Sequence, residues 1–67
     1  MMPKTLEELA KMIAERDDIS YEEALTLVHD CAADMERAFY NGNLFEAEDI
    51  LRESLTLEPD YLDLFIF

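Results

Sequence analysis

His29 and Cys31 stand on either side of Asp30, and they are the only histidine and the only cysteine among 67 residues. An imidazole and a thiol this close invite a metal reading. Ligation needs the side chains to converge. On a helix each residue turns roughly 100° from the one before, so neighbours one and two apart face different ways. A structural zinc also asks for four such ligands, and no second His or Cys exists to supply them. Cys31 therefore reads as a small buried hydrophobe without a disulfide partner, suited to a reducing compartment.

Carboxylates are the abundant chemistry. Seventeen Asp and Glu stand against 5 Lys and Arg, a formal charge of −12. Seventeen acids on a small surface form pairs by chance, whereas a catalytic pair needs a pocket that raises one pKa. The chain has no glycine-rich phosphate loop, no nucleophile elbow and no calcium-loop pattern of spaced acids around a glycine. The expectation is a non-enzymatic protein with no cofactor and no metal. Direct binding to nucleic acid or to anionic lipid is disfavoured, because both need clustered cations and these five are scattered. No apolar run approaches the roughly 20 residues of a membrane span. The Met1-Met2-Pro3-Lys4 start lacks the apolar stretch of a signal peptide, so the expected location is cytoplasmic. An apolar content of 51% is too high for a disordered acidic tail.

These side chains must be carried on helices. Gly42 is the only glycine, and Pro3 and Pro59 are the only prolines, so strong breakers are nearly missing between the ends. Three starts carry the capping-box pattern of a short polar residue with an acid three positions later: Thr5 with Glu8, Ser20 with Glu23, and Asn43 with Glu46. Helix 1 is predicted over about 6–16, with Leu6, Leu9, Ala10 and Ile13 on one face and Glu7, Lys11 and Glu15 toward solvent. Helix 2 is predicted over about 21–41, because Tyr21, Ala24, Leu25, Val28, Cys31, Ala32, Met35, Ala38 and Phe39 hold one stripe without a phase slip. Asn41-Gly42 ends it. Helix 3 is predicted over about 44–57, burying Leu44, Ala47, Ile50, Leu51, Ser54 and Leu55. A connection this short makes helices 2 and 3 an antiparallel hairpin. Pro59 opens a short fourth helix over about 59–65. The predicted fold is therefore all-α, a small three-helix bundle with a short C-terminal helix, in a single domain over 1–67.

The run Gly42-Asn43-Leu44-Phe45-Glu46-Ala47, followed by Leu51, Ser54-Leu55, Leu57 and Pro59, resembles the second helix of a tetratricopeptide repeat. Leu44 stands at that family's aromatic position and Ser54 at its second small position. The resemblance implies hairpin geometry for this stretch, and a chain of this length has no room for the three or so repeats of a solenoid. Ser20 through Phe39 is similar at several positions to a ubiquitin-associated domain. That fold needs a break between its second and third helices, which the unbroken stripe argues against. In size, charge and its Glu-Pro-Asp-Tyr-Leu ending the whole chain resembles short acidic helical proteins of phages and mobile elements.

The charge carries the functional expectation. Glu46, Asp49 and Glu53 fall on one stripe of helix 3, which is expected to hold no cation, and Asp30 and Asp34 stand four apart on helix 2, each like-charge neighbour costing a few tenths of a kcal/mol. Carboxylates one turn apart lie about 5 to 6 Å from each other, comparable to the spacing of phosphates along a strand. Split at Tyr40, the first part has 10 acids against 4 cations and the second 7 against 1, so each contributes −6. The density is higher in the second. The expected function is occupation of a basic, nucleic-acid-binding surface of a partner protein through Glu46, Asp49, Glu53, Asp30 and Asp34. An inhibitor or nucleic-acid mimic of the antirestriction or anti-CRISPR kind is its concrete form. The alternative is a scaffold or oligomerisation module, monomer or homodimer, working through Tyr61, Leu62, Phe65 and Phe67. A third reading takes the Ile66-Phe67 carboxylate as a tail ligand, resembling the acidic Phe-ended tails of single-stranded DNA-binding proteins.

Overall fold

The computed structural model describes residues 3–66, so Met1, Met2 and Phe67 lie outside the account that follows. Thr5 starts the first helix by accepting a hydrogen bond at its hydroxyl from the Glu8 N–H at 3.1 Å. Glu8 returns the favour one residue further out than a capping box requires, its carboxylate accepting from the Lys4 N–H at 2.7 Å. From there α1 runs over Leu6–Asp17 and ends at Asp18, whose φ of 56° lies in the left-handed region. Aspartate tolerates that region better than most side chains.

Ser20 starts α2 in the same way, accepting from the Glu23 N–H at 3.1 Å. The helix spans Tyr21–Tyr40 without a break. Its end is a Schellman arrangement. The Asn43 N–H donates to the Ala38 carbonyl and the Gly42 N–H to the Phe39 carbonyl, both at 2.9 Å. Gly42 takes the left-handed position at φ 71°, which it adopts without the steric cost a Cβ would bring.

Asn43 caps α3, accepting from the Glu46 N–H at 3.1 Å, and the helix spans Leu44–Leu55. This stops two residues short of the expected 57. Thr56 turns left-handed at φ 55°, and Glu58, held extended at ψ 157° as residues before proline are, prevents any resumption. The turn also swings Leu57 inward, where it is 6% exposed. Burying Leu57 offsets the strain of a β-branched residue in that conformation.

The fourth element, Pro59–Phe65, is a 3₁₀ helix. Three residues per turn stack Leu62 on Phe65 and Tyr61 on Leu64. All four are buried or half-buried, a result that the 3.6-residue period would spread around more of the surface. Among the described residues the fold is all-α and holds no strand.

α2 is the spine. Its 20 residues span about 30 Å at 1.5 Å each, matching the 33 Å long axis of the molecule, and α1 and α3 both pack against it. α3 runs back along α2, so that Asp34 and Ala38 share one cleft with Ile50 and Glu46. The 3₁₀ helix closes over α3 and α2. Leu9, Ile13, Val28, Cys31, Met35, Leu51, Leu55 and Phe65 form the large part of the interior, and Ala10, Ala24, Ala38 and Ala47 let the helices approach closely. Two residues expected on buried faces are at the surface instead, Tyr21 at 40% exposed and Leu44 at 56%. Both sit in a first turn, where neighbouring elements cover them only in part: Tyr21 lies beside Glu7, Glu8 and Lys11 of α1, and Leu44 beside Phe65 and Ile66. Ser54, also expected on the buried face, is exposed. No helix among the described residues is long and apolar enough to cross a membrane.

Candidate functional site

All 17 carboxylates lie among the described residues, and none is buried. Where they differ is in their partners. Asp49 accepts from Arg52 at 2.6 Å, three residues on in the same helix, which corrects the expectation that no cation shares its stripe. Asp34 is likewise held by Arg37, one turn further along α2. Glu46 is engaged by the cap, its carboxylate accepting from the Asn43 side-chain amide at 3.3 Å. Asp30 and Glu53 are exposed. The five expected contact residues thus divide into three with a local structural partner and two that face solvent.

The hairpin brings two of the five together. Asp34 and Glu46 line one cleft of about 440 Å³ between α2 and α3, with Arg37, Ala38, Asn41 and Ile50 completing its wall. Asp30, Asp49 and Glu53 are not part of that wall. Three of the five cations are used inside the chain, because Arg16 also forks onto Asp17 with both N–H···O distances at 2.9 Å. The hydrogen bond from Arg16 holds the Asp17 carboxyl below its ordinary pKa, and the same bond raises that of Arg16. What reaches solvent is a surface whose arginines are each joined to a neighbouring acid, leaving the remaining carboxylates to set its potential.

Cys31 takes the place read for it, in the core and 2% exposed. Its thiol donates weakly to the Met35 sulfur at 3.7 Å. Burial pushes its pKa up to about 11, with the nearby Asp34 charge adding to the rise and the Ser54 hydroxyl opposing it. A thiol so held is protonated at neutral pH and makes a poor nucleophile. His29 is exposed while Cys31 points inward. Among the described residues no three His, Cys, Asp or Glu side chains gather to hold a metal ion.

The C-terminal residues named for an apolar interface lie mostly inside. Phe65 is 1% exposed and belongs to the core, reaching the surface only at the floor of a groove it shares with Phe39, Leu44 and Ile66. Tyr61 and Leu62 are half-buried, and the Tyr61 hydroxyl donates to the Met12 sulfur at 3.9 Å. Phe67 lies outside the described residues, and with it the tail-ligand reading. The prominent exposed apolar groups are elsewhere, on either side of the α2–α3 turn: Tyr40 at 92%, Phe45 at 81% and Leu44. The sequence reading passed over Tyr40 and Phe45. Their signal was available, because both are large aromatics that fall off the helical stripes.

No family model, no curated protein and no solved structure matches this chain.

Proposed function

We propose that this chain is a small non-enzymatic binding protein, built as a helical bundle around α2. Its carboxylate surface occupies a basic, nucleic-acid-binding site of a partner protein. In its concrete form it is an inhibitor or nucleic-acid mimic of the antirestriction or anti-CRISPR class, encoded by a phage or mobile element and acting in the cytoplasm. The observation that supports this reading is the disposition of charge. Seventeen surface acids face five cations, and three of those cations are tied to acids of their own helix. A surface of this kind draws in a basic partner over a long range and speeds docking. Glu46, Asp49 and Glu53 on α3 are the first contacts, and Asp30 and Asp34 on α2 come next.

The test is capture from a bacterial lysate at low and at high salt, followed by elution with duplex DNA. The expected partner is released by both, since DNA and this protein compete for one basic site. Replacing Asp49 and Glu53 together by Lys abolishes capture and leaves the helical circular dichroism intact. The substitution also releases Arg52 from Asp49. Capture that survives both high salt and the double reversal overturns the proposal.

A further inference from the structure

Beside the α2–α3 turn a groove of about 370 Å³ is floored by Phe39, Leu44, Phe65 and Ile66, and Glu36 stands in its wall. Of its floor, Leu44 and Ile66 are each 56% exposed, and Tyr40 and Phe45, which follow Phe39 and Leu44 in the chain, are 92% and 81% exposed at the same turn. Scattered apolar side chains on a surface need no explanation, but a group of this size around a concavity marks a binding surface. It lies apart from the carboxylates assigned above and stands independently of that reading. From it we infer that this groove takes a short amphipathic helix of a partner protein, one whose apolar residues recur at helical spacing with Lys or Arg beside them.

Charge decides the occupant. Glu36 lines the groove, Glu48 lies one helical turn beyond Leu44, and Asp63 stands in the last turn before Ile66. None of the three takes part in an ion pair among the described residues. The arginines that could neutralise them are engaged with Asp17, Asp34 and Asp49. An apolar floor with an unneutralised acidic rim matches a helix that carries apolar anchors between basic residues, the helix-in-groove mode of recognition. A second copy of this chain is a poor occupant. Each copy carries −12, and two-fold pairing through the groove sets the same acidic rims against each other, where like charges are costly.

The test is selection of a displayed random peptide library on the wild-type chain, with counter-selection on Leu44→Ser/Phe45→Ser. Both replaced side chains are exposed, so the variant keeps its fold; Ile66→Ser, at a residue 56% exposed, serves as a second probe of the same floor. Enriched peptides are expected to combine apolar residues three or four apart with Lys or Arg. Made synthetically with a Trp, they are read by fluorescence without background, because the chain itself has no Trp. Their affinity falls about tenfold or more on Leu44→Ser/Phe45→Ser, as for loss of an interface anchor, and about threefold on Glu36→Lys through the rim charge. The inference is overturned by peptides that bind the double variant equally well, or by enriched peptides that lack either the apolar pair or the basic residues. A failure to enrich any peptide over the double variant overturns it as well. So does a wild-type dimer in sedimentation that Leu44→Ser/Phe45→Ser converts to monomer.

Discussion

The middle of α2 and its C-terminal end carry the same kind of residue and meet opposite fates. Val28, Cys31 and Met35 are at most 2% exposed, whereas Tyr40, five residues past Met35, is 92% exposed. The middle has α1 on one side and α3 on the other. At the turn Tyr40 and Phe45 fall off the buried stripes of α2 and α3 and are left in water, and Leu44, which shares a groove with Phe65 and Ile66, is only partly covered. Burial is a property of what surrounds a side chain rather than of the side chain itself, and apolar groups left over at such an end remain available to another molecule.

The largest effect separating the two regions comes from truncating an aromatic in each. Phe65→Ala removes a ring that closes the core and is expected to cost about 3 to 5 kcal/mol. That is a third or more of the stability of a domain this small, at roughly 0.05 to 0.15 kcal/mol per residue. Phe45→Ala is expected to change it by no more than about 0.5 kcal/mol. Urea midpoints of the two variants check the contrast, and similar midpoints would break it.

Alkaline pH probes the middle of α2 through Cys31. Burial holds the Cys31 thiol at about 11 against an ordinary value of 9.0, so above pH 9 the unfolded chain gives up its proton while the folded chain keeps it. Stability is therefore full below about pH 9 and declines as pH rises toward 11. Thermal melts across that range should show the decline in the wild type and lose the Cys31 part of it in Cys31→Ala. An equal slope in both would remove burial of the thiol as its cause.

Smaller effects sharpen the comparison at the helix ends. Ser20→Ala removes the acceptor for the Glu23 N–H and is expected to cost about 1 kcal/mol, read as a fall in the melting temperature of roughly 4 to 8 °C. Thr56→Gly goes the other way. Thr56 holds a left-handed conformation at φ 55°, which a glycine adopts freely, so the variant should gain up to about 1 kcal/mol. No gain would mean that the lost methyl and hydroxyl contacts matter as much as the backbone.

Helix positions were legible because their signals are local. A polar cap three residues before an acid, a stripe of apolar residues at a 3.6 spacing, and a lone glycine each act through neighbouring backbone. All three cap side chains bond as read. The end of α3 was less legible, since Leu55, Thr56 and Leu57 continue the apolar pattern. The pull of Leu57 into the core is set by residues distant in sequence. The acidic surface was legible as an excess of charge. Its pairing rests on an equally local signal, because Asp34 and Arg37, and Asp49 and Arg52, stand three apart on a single helix face. Ser54 was read as buried from its phase alone, yet its phase puts it at the margin of the α2–α3 contact.

By itself the sequence determined that this chain is all-α, where its helices begin, and that its surface is acidic, since propensity, caps and formal charge need no partner from elsewhere in the chain. The tertiary structure alone decided that the C-terminal 3₁₀ helix folds inward on Phe65 while Leu44, on the apolar stripe of α3, stays 56% exposed. That choice depends on which faces the packed helices leave uncovered, and no local pattern encodes it.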